Sequence, residues 1–484
     1  MPLRHISHSH IPPGRTGNPT SLADAKLAIS TALRTTAQRV SQHTMNHPSQ
    51  STSVYIGLSG IALMEHHLSN LPLSILSKPE LILASDKALL ASLHTALQRG
   101  LKAPSPSHAS FLETDIGVAT LVLLRIIDPT PNPEEEEPSE LPFLSHWKPC
   151  AQLLRRAVAQ VGESDDDGCE MLYGRAGLLY ALLRIRAGLA HVLGGPGGTV
   201  EEDERAPVIA ALAGVAGDEA VVAVVESIVE LGRTGAREYA SQVSSGYSGM
   251  EYVGAAPPLM WSWHGKRYLG AAHGVAGILH VLWNCPRIFV EPYERDMVRT
   301  LEFLVDLQDA SGNWPPKAPD GYNPRHENEL IQWCHGASGI VIFLSTTLRH
   351  DPDTIQLDPR MRTLVKRAIN AGANLVHRHG LLKKGIGICH GVAGSVHALL
   401  AASYVLDTAT TGKDSSWHLQ QAVHLAYLAT QYEELTGGGQ MLIPDRPWSL
   451  YEGAAGMCCA WANVLCRMEG EGGFGRGLPG FDDL

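Results

Sequence analysis

Charged residues are scarce in this chain of 484 amino acids. They make up 18% of it, below the roughly 25% usual in globular proteins, so a large part of the chain must be buried or neutral. The formal net charge is −11, which argues against the basic face that nucleic-acid-binding proteins carry. Apolar residues reach 44%, ample for a large core. Composition therefore predicts a large globular protein without a nucleic-acid partner.

Long hydrophobic runs and cysteines are also few. No apolar run is expected to reach the roughly 18 residues of a membrane span, because the best candidate, 206–231, is interrupted by Asp218 and Glu219. The first residues do not form a signal peptide, and a peripheral membrane contact stays open. The eight cysteines include the neighbours Cys458 and Cys459. They predict a reducing, cytoplasmic compartment rather than a disulfide framework.

Strand signals are scarce, and one helical unit recurs instead. A Gly-x-x-Gly turn runs into a segment that is apolar on nearly all sides, which is typical of a buried helix. The Ala/Leu pattern of 21–39 predicts a helix before the first unit, and amphipathic segments, such as 151–161 and 359–376, lie between the units. The first glycines lie 55 to 62 residues apart except for one interval of 100. We place them at Gly57, Gly117, Gly174, Gly274, Gly336, Gly391 and Gly453.

Seven helix pairs predict an all-α fold, either an open solenoid or a closed ring. The ring, an α/α toroid of seven inner and seven outer helices, is favoured because such apolar inner helices need neighbours on both sides. Glycines let the turns converge at one end of the ring, where a site would form. We expect a mobile N-terminal arm (1–20), one toroid domain (21–470) and a C-terminal tail (471–484). Insertions are expected at about 129–140 and 193–206, and four consecutive glutamates mark the first as a solvated loop.

Two turns carry a Cys-His-Gly triplet, at 334–336 and 389–391. Together they offer two thiols and two imidazoles, the soft ligands that zinc prefers. One such pair would more simply be a buried cysteine and a hydrogen-bonded histidine, but duplication at matched repeat positions favours a metal. Catalytic zinc uses three protein ligands. We predict one zinc ion held by Cys334, Cys389 and His390, and spacing leaves His335 as the alternative third ligand.

Other polar residues occupy or flank the turns. His273 precedes its repeat glycine, as His335 and His390 do, so it is predicted to face the same end of the ring. There it would exchange a proton or cap the turn structurally. Lys384 precedes one Cys-His turn, and Asp445 with Arg446 precedes the seventh turn; they suit a zwitterionic ligand or belong to ordinary solvated surface.

Arg175 lies inside an otherwise apolar turn. A charged side chain in such a place must be paired or face a cavity, so we count it among the candidate ligand-binding residues.

In order and spacing, these motifs resemble the eukaryotic lanthionine synthetase C-like (LanC-like) proteins. The resemblance runs from about residue 53 to residue 468. Its pieces are EMLYGRAG at 170–177, YLGAAHG at 268–274, SGNWPP at 311–316, WCHG at 333–336, LLKKG at 381–385 with CHG at 389–391, and SLYEG at 449–453.

The resemblance implies an α/α toroid and a zinc site of Cys334, Cys389 and His390. Bacterial members add a peptide cysteine to a dehydroamino acid. Eukaryotic members are described as glutathione-binding proteins that add glutathione to dehydroalanine or dehydrobutyrine in proteins. In that group, residues matching Lys384 and Asp445 contact glutathione. This chain departs from the pattern at Leu442, which replaces an arginine, and the family's N-terminal glutathione contact does not align with the arm.

The predicted function is therefore zinc-dependent addition of the glutathione thiol to dehydroalanine or dehydrobutyrine residues of proteins or peptides. His273 or His335 would deliver the proton to the α-carbon. The expected glutathione-binding residues are Lys384, Asp445, Arg446 and Arg175. One alternative is a signalling or receptor module that binds glutathione and zinc without catalysis. Another is a carbohydrate-active toroid enzyme, which needs two carboxylates about 5 to 10 Å apart; the repeat turns offer only Glu452.

Overall fold

Helices make up the regular secondary structure of the described part of the chain. The computed structural model describes residues 4–47, 49–102, 104–127, 143–163, 168–194, 204–244, 256–318, 329–349, 354–407, 416–470 and 477–484. Within these ranges the only β pairing consists of four isolated bridges. The all-α class is confirmed. The predicted acidic insertion at 129–140 and most of the insertion at 193–206 fall outside the described residues.

The α-helices are numbered in chain order. They are α1 (Leu22–Asn46), α2 (Leu58–Ser69), α3 (Lys78–Gln98), α4 (Asp115–Ile127), α5 (Trp147–Gln160), α6 (Arg175–Gly194), α7 (Ala206–Val215), α8 (Asp218–Ser244), α9 (Val275–Trp283), α10 (Arg287–Val290), α11 (Glu294–Asp306), α12 (Ala337–Thr346), α13 (Pro359–His379), α14 (Val392–Leu406), α15 (Trp417–Ala429), α16 (Tyr432–Gly437) and α17 (Ala454–Met468).

The helices that follow the seven turns are α2, α4, α6, α9, α12, α14 and α17. Each contacts the next, and α17 contacts α2, so these inner helices close into a ring. Apart from the second half of α6, they are buried almost throughout, and in α12 every residue is buried. The helices that pack against their outer side are α1, α3, α5, α8, α11, α13 and α15. Burial on all sides explains the apolar sequences of the inner helices.

Local signals decide where the outer helices begin. Before α1, the Ser21 hydroxyl accepts from the backbone N–H of Asp24 at 3.0 Å, and the Asp24 carboxylate accepts from the Ser21 backbone N–H in return. This capping box satisfies donors that a helix start leaves unpaired. Before α13, the Asp358 carboxylate accepts from the N–H of Met361 at 2.7 Å, and Pro359 takes the first helical position, where it lacks no needed donor.

The register of the second repeat differs from the sequence prediction. A Cβ on Gly117 would lie 2.1 Å from the carbonyl oxygen of Phe111, as a Cβ on Gly60 would lie 2.1 Å from that of Val54. Gly117 is the second glycine of its turn, because α4 begins at Asp115, directly after Thr114, as α2 begins at Leu58, directly after Gly57. Thr114 takes the first position, and its carbonyl accepts from the Gly117 N–H at 3.1 Å. The prediction that Gly117 is a first glycine is wrong by one helical turn.

Two stretches are long and apolar enough to cross a membrane by length and composition, Arg175–Gly194 and Ala206–Val243. The expectation that no run qualifies is corrected. The core helix of a soluble protein passes the same test, and α6 is an inner helix of the ring. Ala206–Val243 spans two helices, α7 and α8, and Asp218 and Glu219 form the first turn of α8.

The N-terminal arm runs along the segment that precedes the second Cys-His turn. The backbone N–H of Ile6 donates to the carbonyl of Leu381 at 2.8 Å, and the N–H of Lys383 donates to that of Arg4 at 3.0 Å. These bonds bring the arm to the rim beside Lys384. Its mobility stays a prediction.

Residues 477–484, expected as a tail, pass into the interior of the ring. Phe481 is 0% exposed. The Asp483 carboxylate accepts from the Tyr180 hydroxyl on α6 at 2.7 Å, and the Pro479 carbonyl accepts from the Tyr451 hydroxyl at 3.1 Å. Arg349, just beyond α12, binds the Asp482 carboxylate at 2.6 Å. The segment thus ties several inner helices together.

Candidate functional site

The glycine turns set the geometry of the site. A Cβ on Gly339 would lie 2.1 Å from the carbonyl oxygen of Trp333, so only glycine lets the turn fold onto the start of α12. Gly336 has a φ of +90°, a conformation that favours glycine. Cys334 and His335 lie between Trp333 and Gly336, and the turn holds them at one end of the ring.

Cys334 and Cys389 come together there. The backbone N–H of Cys334 donates to the carbonyl of Cys389 at 3.2 Å, and the N–H of Cys389 donates to the carbonyl of Tyr451 at 2.7 Å. Both cysteines are free thiols and buried, and their side chains are hydrogen-bonded to each other. That bond lowers the pKa of Cys334 and raises the pKa of Cys389. The pair therefore favours a thiolate on Cys334.

Further polar groups support the two sulfurs. The Gln332 amide donates to Cys334 Sγ at 3.2 Å, and the Tyr55 side chain is hydrogen-bonded to that of Cys389. Tyr55 and Tyr451 stack with their ring centroids 5.0 Å apart. Trp333 packs edge to face against Tyr451 at 5.2 Å. Aromatic side chains thus pack next to the two thiols.

The side chains at this site are of the types that bind zinc, but they are not spaced as zinc ligands. Among the residues that the structure describes, no group of three or more His, Cys, Asp or Glu side chains is spaced to hold a metal ion. Two unoxidised thiols nevertheless meet, and the adjacent His390 has a pKa lowered to about 4, chiefly by burial and then by Lys384. Its imidazole is neutral at pH 7, the form that binds metals.

His273 forms a dyad with Glu170. Its Nδ1 donates to Glu170 Oε2 at 2.9 Å, and Glu170 is 1% exposed. The carboxylate also accepts from the backbone N–H groups of Leu172 at 2.8 Å and Tyr173 at 2.6 Å. Three donors fix the carboxylate, and it fixes the imidazole. The sequence analysis gave Glu170 no role, although it opens the motif at 170–177.

His335 lies beside His273, with ring centroids 6.3 Å apart. Its pKa is lowered to about 4, by burial first and by His273 second. Its Nδ1 is buried without a hydrogen-bond partner. The structure therefore brings His273 and His335 together, as predicted from their positions in the repeat.

Lys384, Asp445 and Arg446 meet at the rim, where all three are exposed. Burial and then Asp445 raise the pKa of Glu452, while Arg446 and Lys384 oppose the rise. All three charges thus act on Glu452, and Lys384 and Asp445 also act on His390. Asp445 and Arg446 also line a cavity of about 320 Å³ between the end of α1 and the seventh turn. Three of the four expected glutathione-binding residues are grouped.

Arg175, the fourth, does not reach the site. It is 0% exposed, and its guanidinium donates to the carbonyl of Val161 at 3.2 Å and to that of Gly168 at 3.1 Å. The arginine ties down the loop before the third turn. Its proposed role as a ligand contact is corrected, because the side chain is buried and donates to backbone carbonyls of this loop instead of facing the rim.

The corrected register reveals a carboxylate that the sequence analysis missed. Glu113 precedes Thr114 and so takes the place that His273 takes in its own turn. Burial raises its pKa to about 7, with a smaller contribution from Glu452 and Glu170, while a hydrogen bond from Ser53 lowers it. The residues at this position of the seven turns are Ile56, Glu113, Tyr173, His273, His335, His390 and Glu452.

Known proteins share this architecture. A family model described as "Lanthionine synthetase C-like protein" matches residues 144–471. LanC-like protein GCL1 of Arabidopsis thaliana is 30% identical over 318 residues, which cover 65% of this chain and 57% of that protein. Glutathione S-transferase LANCL1 of Danio rerio is 25% identical over 415 residues, which cover 85% and 82%.

The structure of nisin cyclase resembles this one with a TM-score of 0.52 and 17% sequence identity, over 93% of this chain and 98% of that one. At that identity the likeness supports the fold alone. A closed ring of inner helices with paired cysteines at its turn end defines a toroid with a thiol site. The chain belongs to the lanthionine synthetase C-like protein family.

Proposed function

We propose that this protein is an enzyme that adds the thiol of glutathione to dehydroalanine or dehydrobutyrine residues of proteins or peptides. The observation that carries the proposal is the juxtaposition of two reduced thiols with a histidine–carboxylate dyad at one end of the ring. The name of the Danio rerio relative, a glutathione S-transferase, supports the class of reaction.

Glutathione carries two carboxylates and one ammonium group. Lys384 and Arg446 offer cations to its carboxylates, and Asp445 offers an anion to its ammonium group. Exposure at the rim lets these side chains attract the ligand, although such charges are screened by salt. The rim also includes the arm, whose Arg4 carbonyl binds the residue next to Lys384.

Cys334, Cys389 and His390 would hold one zinc ion. Bound there, zinc would supply a lowered pKa to a thiol in its open position. The chain's own contribution is to keep the two cysteines reduced, buried and in contact, with Gln332 and Tyr55 bonded to the sulfurs.

Addition forms a C–S bond at the β-carbon of the dehydroamino acid, and the α-carbon then needs the proton that the thiol has lost. His273 would move it, and the bond of its Nδ1 to Glu170, which leaves Nε2 for proton exchange, supports this role. The arrangement follows the logic of a base oriented by a carboxylate. His335 lacks such a partner on Nδ1 and is the second candidate.

A module that binds glutathione and zinc without catalysis is the alternative, since the charged rim and the thiol pair serve binding as well. The dyad favours an enzyme, because a buried carboxylate that orients a histidine adds nothing to the capture of glutathione. A carbohydrate-active enzyme has no support from the named relatives.

The test is mass spectrometry of a dehydroalanine peptide incubated with the purified protein and glutathione, with and without a zinc chelator. We expect a chelator-sensitive mass gain of one glutathione. Protein that contains one zinc and binds glutathione but gives no adduct would favour the binding module. His273→Gln should abolish the adduct while glutathione binding persists.

A further inference from the structure

Three near-parallel rings lie on one side of the site. Tyr173 and Trp263 have ring centroids 5.9 Å apart with planes at 16°, and His273 lies 6.1 Å from Tyr173 at 12° and 6.3 Å from Trp263 at 7°. These separations are in the range of offset aromatic packing. We call Tyr173, Trp263 and His273 the aromatic platform.

The platform extends toward solvent. The exposed His108 lies 5.6 Å from Tyr173 and 6.0 Å from Trp263, measured between ring centroids. The exposed His264 packs edge-on against Trp263 at 4.4 Å. Tyr173 and His273 are partly exposed, so a side chain of a bound peptide can contact their rings, whereas Trp263 is buried.

Carboxylates surround the platform. The pKa of Tyr173 is raised by burial first, and then by Glu113 and Glu170, with further contributions from Cys389 and Glu452. Three carboxyl groups and one thiol thus act on the hydroxyl of Tyr173, and Glu113 and Glu170 act on it most among them.

The cations of the site belong to other turns than the platform. Lys384 and Arg446 act on Glu452 of the seventh turn, and Lys384 acts on His390 of the sixth, whereas Tyr173 and His273 belong to the third and fourth turns. Two parts of the site can therefore bind two substrates. The cationic rim suits the anionic thiol compound, and the aromatic platform suits its reaction partner.

We propose that the aromatic platform and Glu113 bind a cationic side chain, arginine or lysine, next to the dehydroamino acid of the peptide acceptor. A guanidinium or ammonium group stacks on ring faces through cation–π attraction and pairs with the carboxylate of Glu113. Arginine is the better fit, because its planar group stacks and its charge is weakly hydrated. The inference rests on the proposed function for the identity of the acceptor.

The test is a competition between dehydroalanine peptides that differ only in the flanking residues, with arginine, alanine, tyrosine or glutamate on both sides. Glutathione adducts are counted by mass spectrometry at early times in one mixture. We expect the arginine peptide to react about tenfold faster than the glutamate peptide at low salt. Added NaCl should reduce the ratio.

Variants assign the preference to the platform. Glu113→Gln and Tyr173→Leu should each lower the arginine-to-glutamate ratio severalfold, whereas Tyr173→Phe, which keeps the ring, should retain most of it. Glu80→Gln is the same substitution at the exposed start of α3 and should leave the ratio unchanged. A ratio near one, a preference for tyrosine, or a ratio that survives both variants overturns the proposal.

Binding separates this inference from the proposed function. Labelled peptides with alanine in place of dehydroalanine cannot react, and their affinities are measured by fluorescence anisotropy. Tighter binding of the arginine peptide in the absence of any adduct would reject the transferase and keep the acceptor site. Equal affinities together with equal rates would reject the acceptor site and keep the transferase.

Discussion

Glu170→Gln is the most direct probe of the dyad. The carboxylate is 1% exposed and accepts from His273 at 2.9 Å and from two backbone N–H groups. Glutamine keeps the size, but it removes the charge and turns one acceptor into a donor. Hydrogen bonds to charged groups contribute about 1.5–3 kcal/mol. If that bond orients His273 for proton transfer, kcat should fall about tenfold to a hundredfold.

The assay is steady-state and single-turnover addition of glutathione to a dehydroalanine peptide. The KM for glutathione should change less than kcat, because Lys384 and Arg446 lie elsewhere. A loss of about 1–3 kcal/mol in unfolding free energy is also expected, since a backbone N–H loses its acceptor. Glu80→Gln is the matched control. A folded Glu170→Gln protein with kcat within threefold of the wild type would refute the role of the dyad.

Three further predictions concern the thiol pair, the C-terminal segment and a buried carboxyl. Cys389→Ala should remove both bound zinc, measured by elemental analysis, and adduct formation; retained activity contradicts the site. Phe481→Ala should cost about 3–5 kcal/mol of unfolding free energy in denaturant titrations, and a loss below 1 kcal/mol would contradict its packing. Burial raises the pKa of Glu65 to about 7, against an opposing bond from Ser41, so the folded state binds the proton more tightly than the unfolded state. As the pH rises from about 4.5 to about 7, the unfolding free energy of the wild type should therefore fall. At pH 8, Glu65→Gln should be more stable than the wild type by up to about 3 kcal/mol. Parallel pH profiles of the two proteins would contradict this.

Much of the fold could be predicted because it repeats. An inner helix is buried on every side, so its sequence is apolar all round. Each such sequence follows a glycine turn, which makes the repeat recognisable. The same periodicity identified the turns that carry Cys334, Cys389 and His273, because equivalent positions of a repeat converge at one end of a ring. Lys384 and Asp445 depended on the family resemblance, and the structure groups them with Arg446.

Single residues that break the repeat were beyond the sequence. Glu113 was hidden because its turn has threonine where the others have glycine, and only the start of α4 directly after Thr114 shows the true register. Arg175 looked like a ligand contact, yet it is buried and its guanidinium donates to carbonyls 7 and 14 residues away. A charged residue in an apolar turn indicates that it has a partner, but the sequence does not identify that partner.

The sequence by itself determined the all-helical repeat, the seven turns and the cysteines and histidines that they carry. These features follow from short-range patterns of glycine and apolar residues along the chain. Tertiary structure alone decided which turns meet, that Glu170 orients His273 from 103 residues away, and that the last residues enter the ring. Those contacts join distant segments through burial and charge. No local pattern encodes them, because each partner's sequence is compatible with many other neighbours.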